Sequence, residues 1–202
     1  RALTAGVPHV EQHDVVVQFR CSDTYNRKGY GVLPWRYYRD SLLDFNATQM
    51  HNGTIGITII RDPAAHQEPF CRVLLGVLAA FIRQFLQCTV SVRAPRTLIE
   101  DVATMMHAKA FVSGISSLGL FVGAARAGPT YLPVTEQGAR GHAPCISHIR
   151  WYKIRPYMRI EEKGRARHNV SIGQIRRWFA PEQEGLVTRV VASVQAREGL
   201  GT

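Results

Sequence analysis

Short runs of consecutive apolar residues alternate with longer stretches whose apolar positions recur every three or four residues, and this pattern holds from His13 to Pro133. Val15-Val16-Val17-Gln18-Phe19, Thr54 to Ile60, Thr89 to Val92, Ala110 to Ser113 and Thr130 to Leu132 are short and rich in β-branched or aromatic residues, so each predicts a buried strand. Between them, Leu33 to Phe45, Phe70 to Gln87, the segment after Thr97 and Ser117 to Arg126 have helical spacing. Thr97 with Glu100 three residues on is a capping box, and Leu98, Val102, Met105 and Met106 supply the stripe that helix buries.

Five apolar strands separated by helices predict a parallel sheet covered on both faces, that is, a doubly wound, Rossmann-like α/β domain. We place it at residues 1–135. The alternation lapses through Gly138, Gly141 and Pro144, and residues 136–202 read as a basic C-terminal extension packing on the domain. A strand is expected within Ile149 to Ile160, and helices at Ile172 to Phe179 and Glu184 to Gln195.

Ligands of such sheets bind beyond the carboxyl ends of the strands, which directs attention to three segments. Arg20 and Asp23 follow the first strand, where an arginine fork suits a diphosphate or braces a carboxylate of the same loop. Arg61-Asp62-Pro63 follows the second, as a nucleoside contact or a plain turn. Ser113 to Ser117 follows the fourth, where Ser116 and Ser117 either cap a helix or, with its free amides, hold an anion. Asp23 and Asp62 are the candidate catalytic bases.

Several chemistries are excluded by missing motifs. No Gly-x-Gly-x-x-Gly follows the first strand and no Gly-x-x-x-x-Gly-Lys-Ser/Thr occurs, which argues against dinucleotide oxidoreductases and P-loop hydrolases. A Gly-x-Ser-x-Gly elbow is missing too. With no Asp-x-Asp pair to hold a metal against a diphosphate, a bound diphosphate has to be neutralised by arginine, lysine and helix amides, so no metal site is expected.

The net charge of +10 is concentrated, because Arg140 to Arg177 holds ten Lys/Arg against Glu161 and Glu162. Trp151, Tyr152, Tyr157 and Trp178 are interleaved with this charge, but no nucleic-acid-binding motif accompanies it, so nucleic acid is a minor alternative to a solvated face. Cys21, Cys71, Cys88 and Cys145 are dispersed, which fits one or two disulfides better than zinc. Three of the four asparagines, Asn46, Asn52 and Asn169, open an Asn-x-Ser/Thr triplet, which points to the secretory pathway, with a cytoplasmic location as the alternative. The longest apolar run, Val73 to Ile82, is too short to span a bilayer and lies between Arg72 and Arg83. No signal-peptide block opens the chain, which begins at Arg1 and is expected to be a processed form or a piece of something longer.

Val17 to Asp23 resembles the His-x-Arg-Arg-Gly-Asp strand and loop of the fucosyltransferase superfamily, and Tyr37-Tyr38 stands where those enzymes often open a helix with a tyrosine pair. Glu100 to Gly119, followed by Ala124-Ala125 and Tyr131-Leu132-Pro133, is similar to that superfamily's pattern of Asp-bearing helix, strand, Ser-Ser, helix and strand ending in Pro. The resemblance covers roughly residues 12–135. It implies a metal-independent, inverting glycosyltransferase of the two-Rossmann-domain type, using a nucleotide-diphosphate sugar such as GDP-fucose, a glycan or glycoprotein acceptor, and no cofactor. A Golgi-luminal location goes with it. Carried over by position, Arg20, Asp23, Asp101, Ser116 and Ser117 would bind the donor. Gln18, Cys21 and Ser22 depart from the pattern, replacing its His, its second Arg and its Gly, and a separate acceptor domain is expected outside this chain. A non-catalytic module that binds a nucleotide or an anionic glycan is the alternative.

Overall fold

The computed structural model describes residues 13–21, 32–49, 55–62, 69–93, 96–134 and 146–153, with 185, 188–189, 191–193 and 196. Six strands, β1 (Val15–Phe19), β2 (Gly56–Arg61), β3 (Thr89–Arg93), β4 (Ala110–Val112), β5 (Thr130–Val134) and β6 (Ile149–Lys153), form one sheet in the order β3-β2-β1-β4-β5-β6. Every neighbouring pair is parallel. This is the strand order of a Rossmann-like doubly wound domain, in which the chain leaves β1 in one direction across the sheet and leaves β4 in the other.

Alternation along the central strand sorts the helices into two layers. Val15, Val17 and Phe19 face α1 (Trp35–Gln49) and α2 (Pro69–Leu86), where Leu42, Phe45, Leu74, Leu78 and Phe81 complete the larger core. Val16 faces the other side with Ile60 and Phe111, against Met105 of α3 (Leu98–His107) and Val122 of α4 (Ser117–Ala125). All five residues of β1 are buried, as expected for a strand covered on both faces.

Local chemistry sets the helix ends. The capping box on α3 forms as read, with Thr97 Oγ1 accepting from the Glu100 amide and the Glu100 carboxylate accepting from the Thr97 amide. That contact with Thr97 holds the Glu100 carboxyl below its ordinary pKa. The residue before a proline is biased away from helix, so Leu33 stays outside and α1 opens at Trp35 beyond Pro34. α1 then runs past the expected Phe45 to Gln49, taking the Asn46-Ala47-Thr48 triplet into its last turn. α2 ends at Leu86, and Gln87 after it, with a φ of 49°, makes a left-handed terminus built without glycine.

α4 lies close on the sheet because two glycines one turn apart face it. A Cβ at Gly119 would lie 1.8 Å from Ser113 Oγ, and one at Gly123 would lie 2.9 Å from Thr130 Cγ2. Where α4 ends, the buried Arg126 donates to the carbonyls of Ala108, Gly128 and Pro129 and to Thr130 Oγ1.

The strand expected in the basic segment is present as β6, which pairs with β5 through five residues from Thr130↔Ile149 to Val134↔Lys153. Residues beyond 135 thus extend the sheet itself. Of the two C-terminal helices, that at Ile172 to Phe179 lies outside the described residues. In the other, residues 188–189 and 191–193 are helical, and Val191 is fully buried in the core shared with α1 and α2. No helix among the described residues is long and apolar enough to cross a membrane.

Candidate functional site

The reversal of strand order between β1 and β4 opens a crevice beyond their carboxyl ends, and the first and fourth strand-end segments meet there. Arg20 Nη1 donates to Ser116 Oγ at 3.1 Å, joining residues 96 positions apart. Ser116 is the N-cap of α4, its hydroxyl also accepting from the Gly119 amide at 3.4 Å. The amides of Ser117 and Leu118, in the first helical turn, have no intrahelical acceptor, and the helix dipole adds partial positive charge there. Arg20 and the start of α4 therefore offer a guanidinium and backbone donors at one point.

Glycine makes the meeting possible. A Cβ at Gly114 would lie 2.9 Å from the Gln18 carbonyl oxygen and 3.3 Å from Arg20 Cβ, so the chain leaving β4 can pass close to the end of β1 only without a side chain there. Below the crevice the buried Ser113 donates to the Gly114 carbonyl at 2.8 Å and reaches Gln18 Oε1 at 3.4 Å. Gln18, buried in β1, packs under the first turn of α4.

The β2 end adjoins this point. Asp62 Oδ2 accepts from the Cys21 amide at 3.2 Å, which fixes its carboxylate beside the end of β1. Arg61 pairs with Phe19 in the sheet register, and its side chain, with a buried Nε, makes no hydrogen bond or ion pair with any described residue. Cys21 is bonded to Cys71 of α2 with a Cα separation of 5.8 Å, so a covalent strut ties the chain just beyond β1 to α2. Cys88 is a buried free thiol whose pKa is raised by burial, and Cys145 lies outside the described residues.

On the opposite face of the sheet, Tyr37 donates to the carbonyls of Ser113 and Tyr131, both at 2.8 Å, tying α1 to the ends of β4 and β5. Burial raises the pKa values of Tyr37, Tyr38 and Tyr131, and in Tyr37 the phenols of Tyr38 and Tyr152 add to it. All three stay protonated at neutral pH. Tyr37 thus braces the end of β4 from behind the sheet.

The remaining candidates are distributed as follows. Ser117 is exposed as the first residue of α4. Asp101 lies in the first turn of α3 and forms an ion pair with Arg93 at the end of the edge strand β3, while Arg93 also donates to Thr104. Burial raises its carboxyl pKa, against the pull of Arg93. Its ion pair is thus with Arg93 rather than with Arg20. Asp23 lies outside the described residues. No group of three or more His, Cys, Asp or Glu among the described residues is placed to hold a metal ion.

Sequence reasoning missed the two close-packing glycines, Gly119 and Gly123, although glycines four apart inside a helical pattern are a visible sign of close backbone approach. It also missed the partner of Cys21, for which spacing carries no signal. The fold and crevice define the class of protein: a Rossmann-like α/β domain with an arginine and a helix start at its switch point. No protein-family model matches the chain, and no curated protein or solved structure matches it either.

Proposed function

We propose that the crevice between β1 and β4 binds the diphosphate of a nucleotide sugar, and that the chain is the donor-binding part of a metal-independent, inverting glycosyltransferase with GDP-fucose as the leading donor. The observation that carries this reading is the Arg20–Ser116 contact at the start of α4. An anionic oxygen is a stronger acceptor for Arg20 Nη1 than the neutral Ser116 hydroxyl, and the Ser117 and Leu118 amides supply further donors to the same anion. These groups would stabilise the leaving diphosphate as the bond to the sugar breaks. Asp62, oriented by the Cys21 amide, is the candidate base for the acceptor hydroxyl of a glycan or glycoprotein. The Cys21–Cys71 disulfide supports a place in the secretory pathway, for which the Golgi lumen is the compartment that fits the reaction.

The test is a thermal-shift series with GDP, UDP, CDP and the parent nucleosides on the wild-type chain and on Arg20→Ala. A charge-assisted contact is worth about 1.5–3 kcal/mol, so Arg20→Ala should weaken diphosphate binding by about 10- to 150-fold and leave nucleoside binding nearly unchanged. Arg20→Lys should recover only part, because an ammonium lacks the planar fork. Equal GDP affinity in wild type and a folded Arg20→Ala variant would remove the crevice from consideration. Cys21 favours a second reading, since its disulfide holds a cysteine where the resembled pattern has its second arginine. A nucleotide-binding module without transfer activity then follows, and it would bind GDP-fucose without turning it over in the presence of acceptor.

A further inference from the structure

We propose that Asn46 is the acceptor of an N-linked oligosaccharide, a modification independent of the nucleotide reading. Asn46-Ala47-Thr48 occupies the last turn of α1, and all three residues are exposed. The Thr48 hydroxyl donates to the Phe45 carbonyl at 2.9 Å, a contact within the turn that engages no other element. Opening a terminal turn sacrifices only end hydrogen bonds, so the triplet can reach the extended form a transferase needs while the buried side of α1, at Leu42 and Phe45, stays packed.

Two further observations point the same way. The Cys21–Cys71 disulfide belongs to an oxidising compartment, the one in which this modification is made. The position also suits the fold. α1 leaves the carboxyl end of β1 and returns to the amino end of β2, so its last turn lies at the amino edge of the sheet, and a glycan there projects away from the crevice. Asn52, which opens the next triplet, and Asn169 lie outside the described residues.

The chemistry balances with a lipid-linked diphosphate oligosaccharide as co-reactant. Asn46 Nδ2 forms a bond to C1 of the first sugar, the bond from C1 to the diphosphate oxygen breaks, one Nδ2 proton is lost, and the polyisoprenyl diphosphate leaves.

The full chain should be directed to the secretory pathway of a eukaryotic cell, with the same chain from bacterial cytosol as the unmodified control. Digestion with peptide:N-glycosidase converts a modified asparagine to aspartate, and trypsin releases Asp40 to Arg61 as one peptide carrying both Asn46 and Asn52. Fragmentation of that peptide should place aspartate at position 46. Asn46→Gln and Thr48→Ala should each abolish the signal at 46, and Thr48→Ser should keep it. Because transfer acts on the nascent chain, a variant that folds poorly still reports occupancy. Aspartate at position 52 alone, or an unmodified peptide from a chain that has been secreted, would overturn the assignment.

Discussion

Replacing Gly119 with alanine tests how closely α4 is held to the sheet. In an unobstructed helix the change is favourable, since glycine costs roughly 0.8–1.0 kcal/mol relative to alanine. Here the new methyl would sit 1.8 Å from Ser113 Oγ, 3.0 Å from Gln18 Oε1 and 3.1 Å from Ser113 Cβ. Rotating the Ser113 hydroxyl relieves the first contact only by giving up its bond to the Gly114 carbonyl, and it leaves the other two, so either that bond is lost, α4 lifts, or the buried serine and glutamine are displaced. Overpacking of this kind costs typically 1–3 kcal/mol and more when several atoms must move, which outweighs the gain in propensity. We expect a net loss of about 1–2 kcal/mol, read as a fall in Tm of roughly 2–8 °C for a chain of this size. The double variant with Ser113→Ala separates strain from a general helix effect. Without the hydroxyl, Gly119→Ala should cost at least about 1 kcal/mol less, a coupling of the size neighbouring residues show. Because α4 begins at the Arg20 contact, the proposed donor reading adds that the single variant should weaken any GDP binding detected in the wild type. A rise in Tm on Gly119→Ala, or an equal cost in both backgrounds, would refute the close-packing argument.

Three further outcomes are expected. Replacing Cys21 and Cys71 by serine opens a loop of sequence separation 50, and chain-entropy reasoning gives a loss of about 4 kcal/mol, measured as a lower urea midpoint than that of the oxidised protein. Tyr37, Tyr38 and Tyr131 have pKa values raised by burial, so the folded state keeps protons that the unfolded state loses above about pH 10, and each contributes a loss of about 1.4 kcal/mol per pH unit. Arg126, lowered to about 10 by burial, acts in the opposite sense and offsets part of this, and Tyr38→Phe should flatten the alkaline unfolding curve by about 1.4 kcal/mol per unit. Gln87→Gly should raise stability by about 1 kcal/mol in thermal unfolding, because a residue with a side chain pays that much or more to hold the left-handed φ of 49°.

The centre of the sheet could be read in advance because its strands are buried on both faces: Val15-Val16-Val17 is wholly apolar, Ile57 to Ile60 is apolar but for Thr58, and the capping box at Thr97 marks its helix unambiguously. β6 was harder to place. Its sequence, Ile149-Arg150-Trp151-Tyr152-Lys153, carries charge because it is an edge, and charge and aromatics can equally describe a surface segment. Arg20 and Ser116 were legible as strand-end residues, but their contact is a product of the switch in strand order, which no local pattern encodes. Asp101 shows the converse. A carboxylate in the first turn of a helix reads the same whether it meets a ligand or an arginine, and Arg93, eight residues earlier, took it.

The position of β1 bears on how the chain is assembled during synthesis. It is made before the other five strands of the sheet, yet one of its neighbours, β4, begins at Ala110, long after β2 has emerged at Gly56. In the interval, a strand that is fully apolar but for Gln18 has one open edge, the kind of surface that recruits foreign strands. The link from Cys21 to Cys71 closes entirely within the part already made, before α3 or β4 exists. An oxidant present at that stage can lock β1, α1, β2 and the start of α2 into a half-sheet that waits for its second wing. In a reducing environment the same half must wait unlocked, so yield should depend on when the sulfurs meet as well as on the final stability.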